Sequence, residues 1–292
     1  MGLAMGLDIS ILYRGDLSGC NYDCGYCPFA KRVDDKAVLA KDAADLARFV
    51  EWIKAQPDGE FKILFTPWGE ALIRKAYQRA LCTLSHLPQV KRVTIQTNLS
   101  CKFGWIDGLN PDTASLWCTY HPTETMLEKF IAKCAILDAA KIPYCVGTVG
   151  IKETFSNIKA LRAALPEHIY LWVNALKDKG DNYYTDTDIQ TLTQIDKLFP
   201  VNLKDYPSMG KPCRAGATSI SVDGDGNVRR CHFIPEIIGN LYDDNFKLAQ
   251  TPTPCKRRIC DCHIGYANMP ELDLDDQFDG WALGRMHNLF KQ

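Results

Sequence analysis

Apolar positions recur along this chain in two different rhythms. From residue 7 to about residue 200, short runs of branched and aromatic residues (LDISILY, FKILFT, RVTIQTN, SLWCTY, PYCVGTVG and IYLWVN) alternate with longer amphipathic stretches. The short runs predict strands buried on both faces, as in a parallel sheet. DAADLARFVEWIKA places Leu46, Phe49, Val50 and Ile53 on one helical face, and TMLEKFIAKCAILDAAK continues the pattern. Repeated strand-helix alternation predicts an α/β fold with a parallel sheet, and six strands suit a partial (β/α)6 barrel over residues 1–200.

Beyond Pro200 the rhythm changes. ATSISVDGDGNVRRCHF reads as two short strands around DGDGN, whose Gly and Asp residues suit a tight hairpin turn. The remainder, GNLYDDNFKLAQTPTPCKRRICDCHIGYANM, is turn-rich and loses helical period after Ala249. Residues 201–292 therefore read as a small cysteine-bearing domain of limited core, ending in a tail whose Asp273, Asp275, Asp276 and Asp279 suggest a solvated acidic segment.

Composition narrows the function. The chain has 292 residues, 46% hydrophobic, with 34 Lys+Arg against 35 Asp+Glu. Balanced charge gives no basic footprint for nucleic acid, so the expected partner is a small molecule or a peptide. No run approaches the ~18 apolar residues of a membrane span, and MGLAMGLDISILY lacks the pattern of a signal peptide. The expected location is the cytoplasm. The strand pattern begins almost at once, so no N-terminal peptide-binding module is expected; a peptide substrate would need direct capture or a separate recognition partner.

Thirteen cysteines, an odd number, fit a reducing compartment and metal sites better than a disulfide scaffold. Three lie at Cys20, Cys24 and Cys27 within CNYDCGYCPF, and five lie between Cys213 and Cys262. Structural zinc takes four ligands from paired knuckles, and Cys20, Cys24 and Cys27 have no second pair nearby. A cubane iron-sulfur cluster held by three thiolates keeps one iron open. The stretch follows the first predicted strand, the end of an α/β sheet where chemistry is placed.

The spacing C-x3-C-x2-C, with Tyr26 before the last cysteine, resembles the cluster loop of the radical S-adenosylmethionine (SAM) superfamily. The resemblance implies a 4Fe-4S cluster on Cys20, Cys24 and Cys27 whose fourth iron is chelated by SAM. FTPWGEAL resembles the family's GGE-type segment, which implies Gly69 and Glu70 near the methionine amino group; Pro67 and Gly69 also suit a plain turn. Thr97 and Asn98 at the end of RVTIQTN, Gly150 in GIKE and Asn174 after the sixth strand are expected on the cofactor side. Val146 stands where the family commonly has glycine. His121 in SLWCTYHP can meet substrate or carry a proton near neutral pH, and equally suits a helix cap. Cys118 and Cys145, within strands, read as small buried hydrophobes.

Cys213 to Cys231, with glycine five positions before the second cysteine, resembles the opening of the twitch and SPASM auxiliary-cluster domains, and GNLYD resembles their GN turn. The resemblance implies a second, auxiliary 4Fe-4S cluster on four of Cys213, Cys231, Cys255, Cys260 and Cys262. A zinc site using Cys231-His232 and Cys262-His263 is the rival. The implied activity is that of a radical SAM oxidoreductase or maturase-type enzyme: reductive cleavage of SAM to a 5'-deoxyadenosyl radical and hydrogen abstraction from a small-molecule or peptide substrate. A flavodoxin- or ferredoxin-type protein is the implied electron donor, and the basic run Lys256, Arg257 and Arg258 offers a place to dock it or offsets cluster charge. The alternative is a non-catalytic binding protein stabilised by zinc or iron-sulfur.

Overall fold

The computed structural model describes residues 8–29, 32–180, 182–248 and 251–287; the chain start and Ala249 lie outside them. Six parallel strands follow one another in chain order: β1 (Asp8–Arg14), β2 (Glu60–Phe65), β3 (Val90–Thr97), β4 (Ala114–Thr119), β5 (Tyr144–Val149) and β6 (Leu171–Asn174). Helices α1 (Lys36–Lys54), α2 (Lys75–Ser85), α3 (Leu127–Ala139) and α4 (Phe155–Ala164) lie among the connections, and α5 (Asp186–Ile195) and α6 (Phe199–Leu203) follow β6. All six sequence-predicted strands are present, in the α/β arrangement expected.

The side-chain period of two separates the sheet's faces. Ile9, Ile11, Tyr13, Ile63, Phe65 and Ile95 pack toward α1 and α2, where Leu46, Phe49, Val50 and Ile53 form the buried stripe. The opposite, inner face carries Leu12, Leu64, Trp117, Cys145 and Trp172.

After α6 come the short β7 (Tyr206–Pro207) and β8 (Pro212–Cys213), then β9 (Ser219–Asp223), β10 (Asn227–Arg229) and β11 (Ile237–Asn240), and finally β12 (Thr253–Pro254), β13 (Ile259–Cys260) and α7 (His263–Tyr266). The expected hairpin is β9–β10, with Gly226 at φ +85° in its turn. Asn240 ends β11 instead of standing in a turn, and its Nδ2 donates to the Asp225 carbonyl. β9 pairs in parallel with β1, Ser10 opposite Ser219, so a nine-stranded sheet runs β11-β10-β9-β1-β2-β3-β4-β5-β6.

The tail differs from the solvated segment expected. Ile264, Phe278, Trp281 and Leu283 fill the inner face against Leu12, Leu64 and Trp117, and Trp281 Nε1 donates to Ser10 Oγ at 3.1 Å. Asp275 pairs with Arg214 and Asp279 with Arg92, while Asp273 and Asp276 stay exposed. Interspersed aromatic residues decide the outcome: burying them is worth more than solvating their acidic neighbours, which find partners at the rim. No helix among the described residues is long and apolar enough to cross a membrane.

Candidate functional site

The cysteine loop leaves β1 under tight local control. Gly15 has no room for a side chain, because a Cβ there would lie 2.2 Å from Asp42 Oδ1. That oxygen accepts the Asp16 amide at 3.0 Å and the Tyr77 hydroxyl at 3.1 Å, and burial pushes the Asp42 carboxyl up to about 6. Just ahead of α1, Asp34 accepts from Ser18 N, Ser18 Oγ and Gly19 N, the last at 2.8 Å. Two carboxylates thus fix the residues before Cys20.

Cys20, Cys24 and Cys27 line one cavity of roughly 220 Å³ at the C-terminal ends of the strands. Tyr22 N and Asn98 Nδ2 approach Cys20 Sγ at 3.5 and 3.7 Å. Cys24 Sγ lies 3.4 Å from His121 Nδ1, which is 2.7 Å from the Tyr26 hydroxyl. Burial drives the Cys24 thiol up to about 11 and the His121 imidazole down to about 4. His121 therefore faces the cavity as a neutral ring against Cys24 and Tyr26, and its side chain does not cap a helix.

Glu70 is 2% exposed and held by three donors of its own chain. Its Oε1 accepts from Leu72 N at 3.0 Å and Thr97 Oγ1 at 2.9 Å, and its Oε2 from Asn98 N at 2.5 Å. Burial raises its carboxyl to about 7, with the hydrogen bonds pulling the other way. Leu99, next in line, has φ +56°, a left-handed conformation held by Leu99 N donating to Thr97 Oγ1 at 3.0 Å. Gly69 meets the cysteine loop itself: a Cβ there would fall 1.7 Å from the Gly19 carbonyl oxygen.

No protein-family model matches the chain, and no curated protein matches it in sequence. Solved structures do. SuiB of Streptococcus suis, crystallised bound to the precursor peptide SuiA, superposes with a TM-score of 0.56 at 16% identity, over 83% of this chain and 64% of SuiB. A second SuiB structure, bound to S-adenosylmethionine, gives 0.54 at 17% identity, over 84% and 65%. The enzyme anSMEcpe with bound AdoMet and Cp18Cys peptide gives 0.54 at 16% identity, over 80% and 78%. The fold is the radical SAM fold. At these identities the fold is what is shared, and the chain spans about two-thirds of SuiB's length.

On this radical SAM sheet the cavity gathers Gly69, Glu70, Thr97 and Asn98 with the three thiols, as well as Thr119 and His121. Gly150 and Asn174 lie elsewhere. The Gly150 carbonyl accepts from the Tyr184 hydroxyl at 2.6 Å, its Cα is packed under that hydroxyl, and Asn174 Oδ1 accepts from Asn202 Nδ2 at 3.4 Å. Trp117 and Trp172, edge to face with ring centroids 5.4 Å apart, line the cavity and went unrecognised in the sequence; their inward register in SLWCTY and IYLWVN is the signal that finds them. Gln96, in the same inward register, also lines it.

The later cysteines divide four and one. Burial raises the thiols of Cys213, Cys231 and Cys260, and Cys255 lies close enough to all three to raise each of them further. Arg230 beside Cys213 and Arg257 beside Cys231 and Cys260 act in the opposite sense. Cys262 feels Arg285, Asp261 and Arg14 instead. Of the two imidazoles of the zinc alternative, His232 has both ring nitrogens engaged and His263 one. His232 bridges Thr66 Oγ1 at 3.0 Å and Ser221 Oγ, and His263 Nε2 bonds the Ala282 carbonyl at 2.8 Å. All thirteen cysteines are free of disulfides, and among the described residues no three His, Cys, Asp or Glu side chains converge as they would around a single ion.

Proposed function

We propose that the chain is a radical SAM enzyme acting on a peptide or small-molecule substrate, with Cys20, Cys24 and Cys27 holding a 4Fe-4S cluster. The observation that carries this reading is the convergence of these three thiols with Glu70, Thr97 and Asn98 on one cavity at the C-terminal ends of the parallel strands. When bound, the cluster and SAM supply one-electron cleavage of the sulfonium to a carbon radical that abstracts hydrogen.

The residues here orient and enclose. Asp34 and Asp42 fix the loop, so the thiols meet their ligand with little conformational freedom left to lose. Glu70 works chiefly through others: it clamps Thr97 and Asn98, and Asn98 Nδ2 reaches Cys20. One lone-pair direction of its Oε2 remains for a cofactor ammonium. Trp117, Trp172 and Trp68 wall the cavity and limit water at a reactive carbon. Thr119, on the inner row, faces the space where substrate would enter.

In this reading Cys213, Cys231, Cys255 and Cys260 hold the auxiliary 4Fe-4S cluster. The all-thiol grouping and the engagement of both His232 ring nitrogens support iron-sulfur over zinc. SuiB and anSMEcpe, which share the fold, were crystallised with peptides; that favours a peptide substrate. A flavodoxin- or ferredoxin-type protein would deliver the electron.

Anaerobically reconstituted protein given SAM and a strong reductant should form 5'-deoxyadenosine, and Cys24→Ala should abolish it. Colourless protein that holds stoichiometric zinc, or undiminished turnover in Cys24→Ala, would sink the proposal.

A further inference from the structure

Arg14 ends β1 on the inner row, the last side chain before the cysteine loop. Its Nε donates to the Thr66 carbonyl at 2.9 Å, and its guanidinium carbon lies 5.3 Å from the ring centroid of Trp68. Trp68 forms the outer edge of the cavity, stacked on Phe29 with centroids 5.6 Å apart. Among the described residues no carboxylate lies within ion-pair distance of Arg14. Burial lowers its pKa to about 10, so it stays charged at neutral pH. Cys262, whose charge would bear on it, has its thiol pushed up by burial and so offers no counter-charge at neutral pH.

A second guanidinium is buried. Arg285 is 4% exposed, sits 4.4 Å from Trp172 and 4.9 Å from Trp117 by ring centroid, and its Nε has no hydrogen-bond partner. Among the described residues no carboxylate lies within ion-pair distance of it, although the buried Asp196 carboxyl feels its charge. Arg14 is thus a part-buried positive charge with no ion-paired acid among the described residues, whereas Arg285 has the field of Asp196. Buried charges are ordinarily paired. The four thiols do not supply the counter-charge, because their cationic neighbours are Arg230 and Arg257.

From this geometry we infer that Arg14 is the anchor for a carboxylate on the substrate, received beside Trp68 at the cavity edge. The two Nη groups, which no carboxylate among the described residues engages, offer the planar fork that matches a carboxylate in two parallel hydrogen bonds. Arg285 adds to the field from below the tryptophans. The inference rests on the proposed radical reaction only in naming the anion as substrate.

The test is arginine labelling of the reconstituted holoenzyme with phenylglyoxal, read at Arg14 by peptide mass spectrometry. Arg285, nearly inaccessible, serves as the unreactive reference. Probes are glutarate, the blocked tripeptide acetyl-Ala-Glu-Ala-amide, and its neutral counterpart acetyl-Ala-Gln-Ala-amide. A carboxylate probe at about twice its Kd should slow Arg14 labelling about threefold. The neutral peptide should not. Protection by the acidic peptide alone assigns the carboxylate to a peptide side chain; protection by glutarate as well assigns a site open to small acids. Equal labelling with and without every carboxylate overturns the inference, and so does protection by SAM alone, which would make Arg14 a cofactor contact. Formation of 5'-deoxyadenosine without any protection leaves the proposed function standing and removes this site. Protection in protein that never cleaves SAM does the reverse.

Discussion

Replacing Gly69 by alanine tests whether the turn after β2 holds the cysteine loop in register. A Cβ at Gly69 falls 1.7 Å from the Gly19 carbonyl oxygen and 2.4 Å from its carbon, where an unstrained contact needs about 3.5 Å. The obstruction is backbone, one residue before Cys20, and no rotamer relieves it. Asp34 resists a retreat of the loop through its bonds to Ser18 and Gly19. Overpacking of this kind costs ~1–3 kcal/mol. The larger effect falls on metal assembly, because ligand distances tolerate only about 0.2 Å of error. Gly25, in the same loop, is the control: its Cβ would meet nothing within 4 Å, and its φ is not positive. We expect Gly69→Ala to melt a few degrees lower, to lose iron from the Cys20 loop, and to form 5'-deoxyadenosine about a hundredfold more slowly. Gly25→Ala should match the parent. Thermal melts, iron content and chromatography of 5'-deoxyadenosine read these outcomes, and parent-like iron and turnover in Gly69→Ala would refute the argument.

Two further outcomes follow from buried groups. Asp42 has its folded pKa raised from 3.8 to about 6 by burial. The folded state therefore binds this proton more tightly than the unfolded state, and the resulting stability is present below about pH 4, lost as pH rises to about 6, and level above, with a ceiling of about 3 kcal/mol. Asp42→Asn keeps an oxygen for Asp16 N and Tyr77 without that penalty, so urea midpoints should shift toward the variant across this window; a constant difference would contradict a buried ionised Asp42. Among the later cysteines, Cys231→Ala should lose the iron of the second group while Cys262→Ser retains it. Equal loss from both would overturn the division into four and one.

The sequence made the parallel strands legible because each carries a run of branched and aromatic residues buried on both faces, a pattern with few other physical uses. The cysteine loop was legible because three thiols at fixed spacing have so few structural purposes. What stayed hidden depends on long-range approach. Glu70 reads as a cofactor contact; that it also holds Leu72, Thr97 and Asn98 shows only when the folded chain brings β3 to it. Asp34 and Asp42 look like ordinary helix-start residues. The tail misleads because its acidic residues dominate the composition while Leu274, Phe278 and Trp281, scattered among them, do the packing. Gly150 and Asn174 sit at strand ends as expected, but neighbouring contacts from Tyr184 and Asn202 occupy them.

The segment after Pro200 bears on the sheet as much as on its own thiols. β9 covers the open edge of β1 over five register positions, so that strand has neighbours on both sides. On the inner face, the tail covers Leu12, Leu64, Trp117 and Trp172. Fully burying a large apolar side chain is worth ~1.5–3 kcal/mol, and four of them sum to about the whole net stability of a typical domain, ~5–15 kcal/mol. The six-strand sheet and the cysteine-bearing segment are therefore coupled through the core as well as through His232, which follows Cys231 and bonds Thr66 at the end of β2. From Thr66 the chain reaches Glu70 in four residues, Glu70 holds Asn98, and Asn98 reaches Cys20. Hydrogen bonds and four residues of backbone thus connect the two thiol groups.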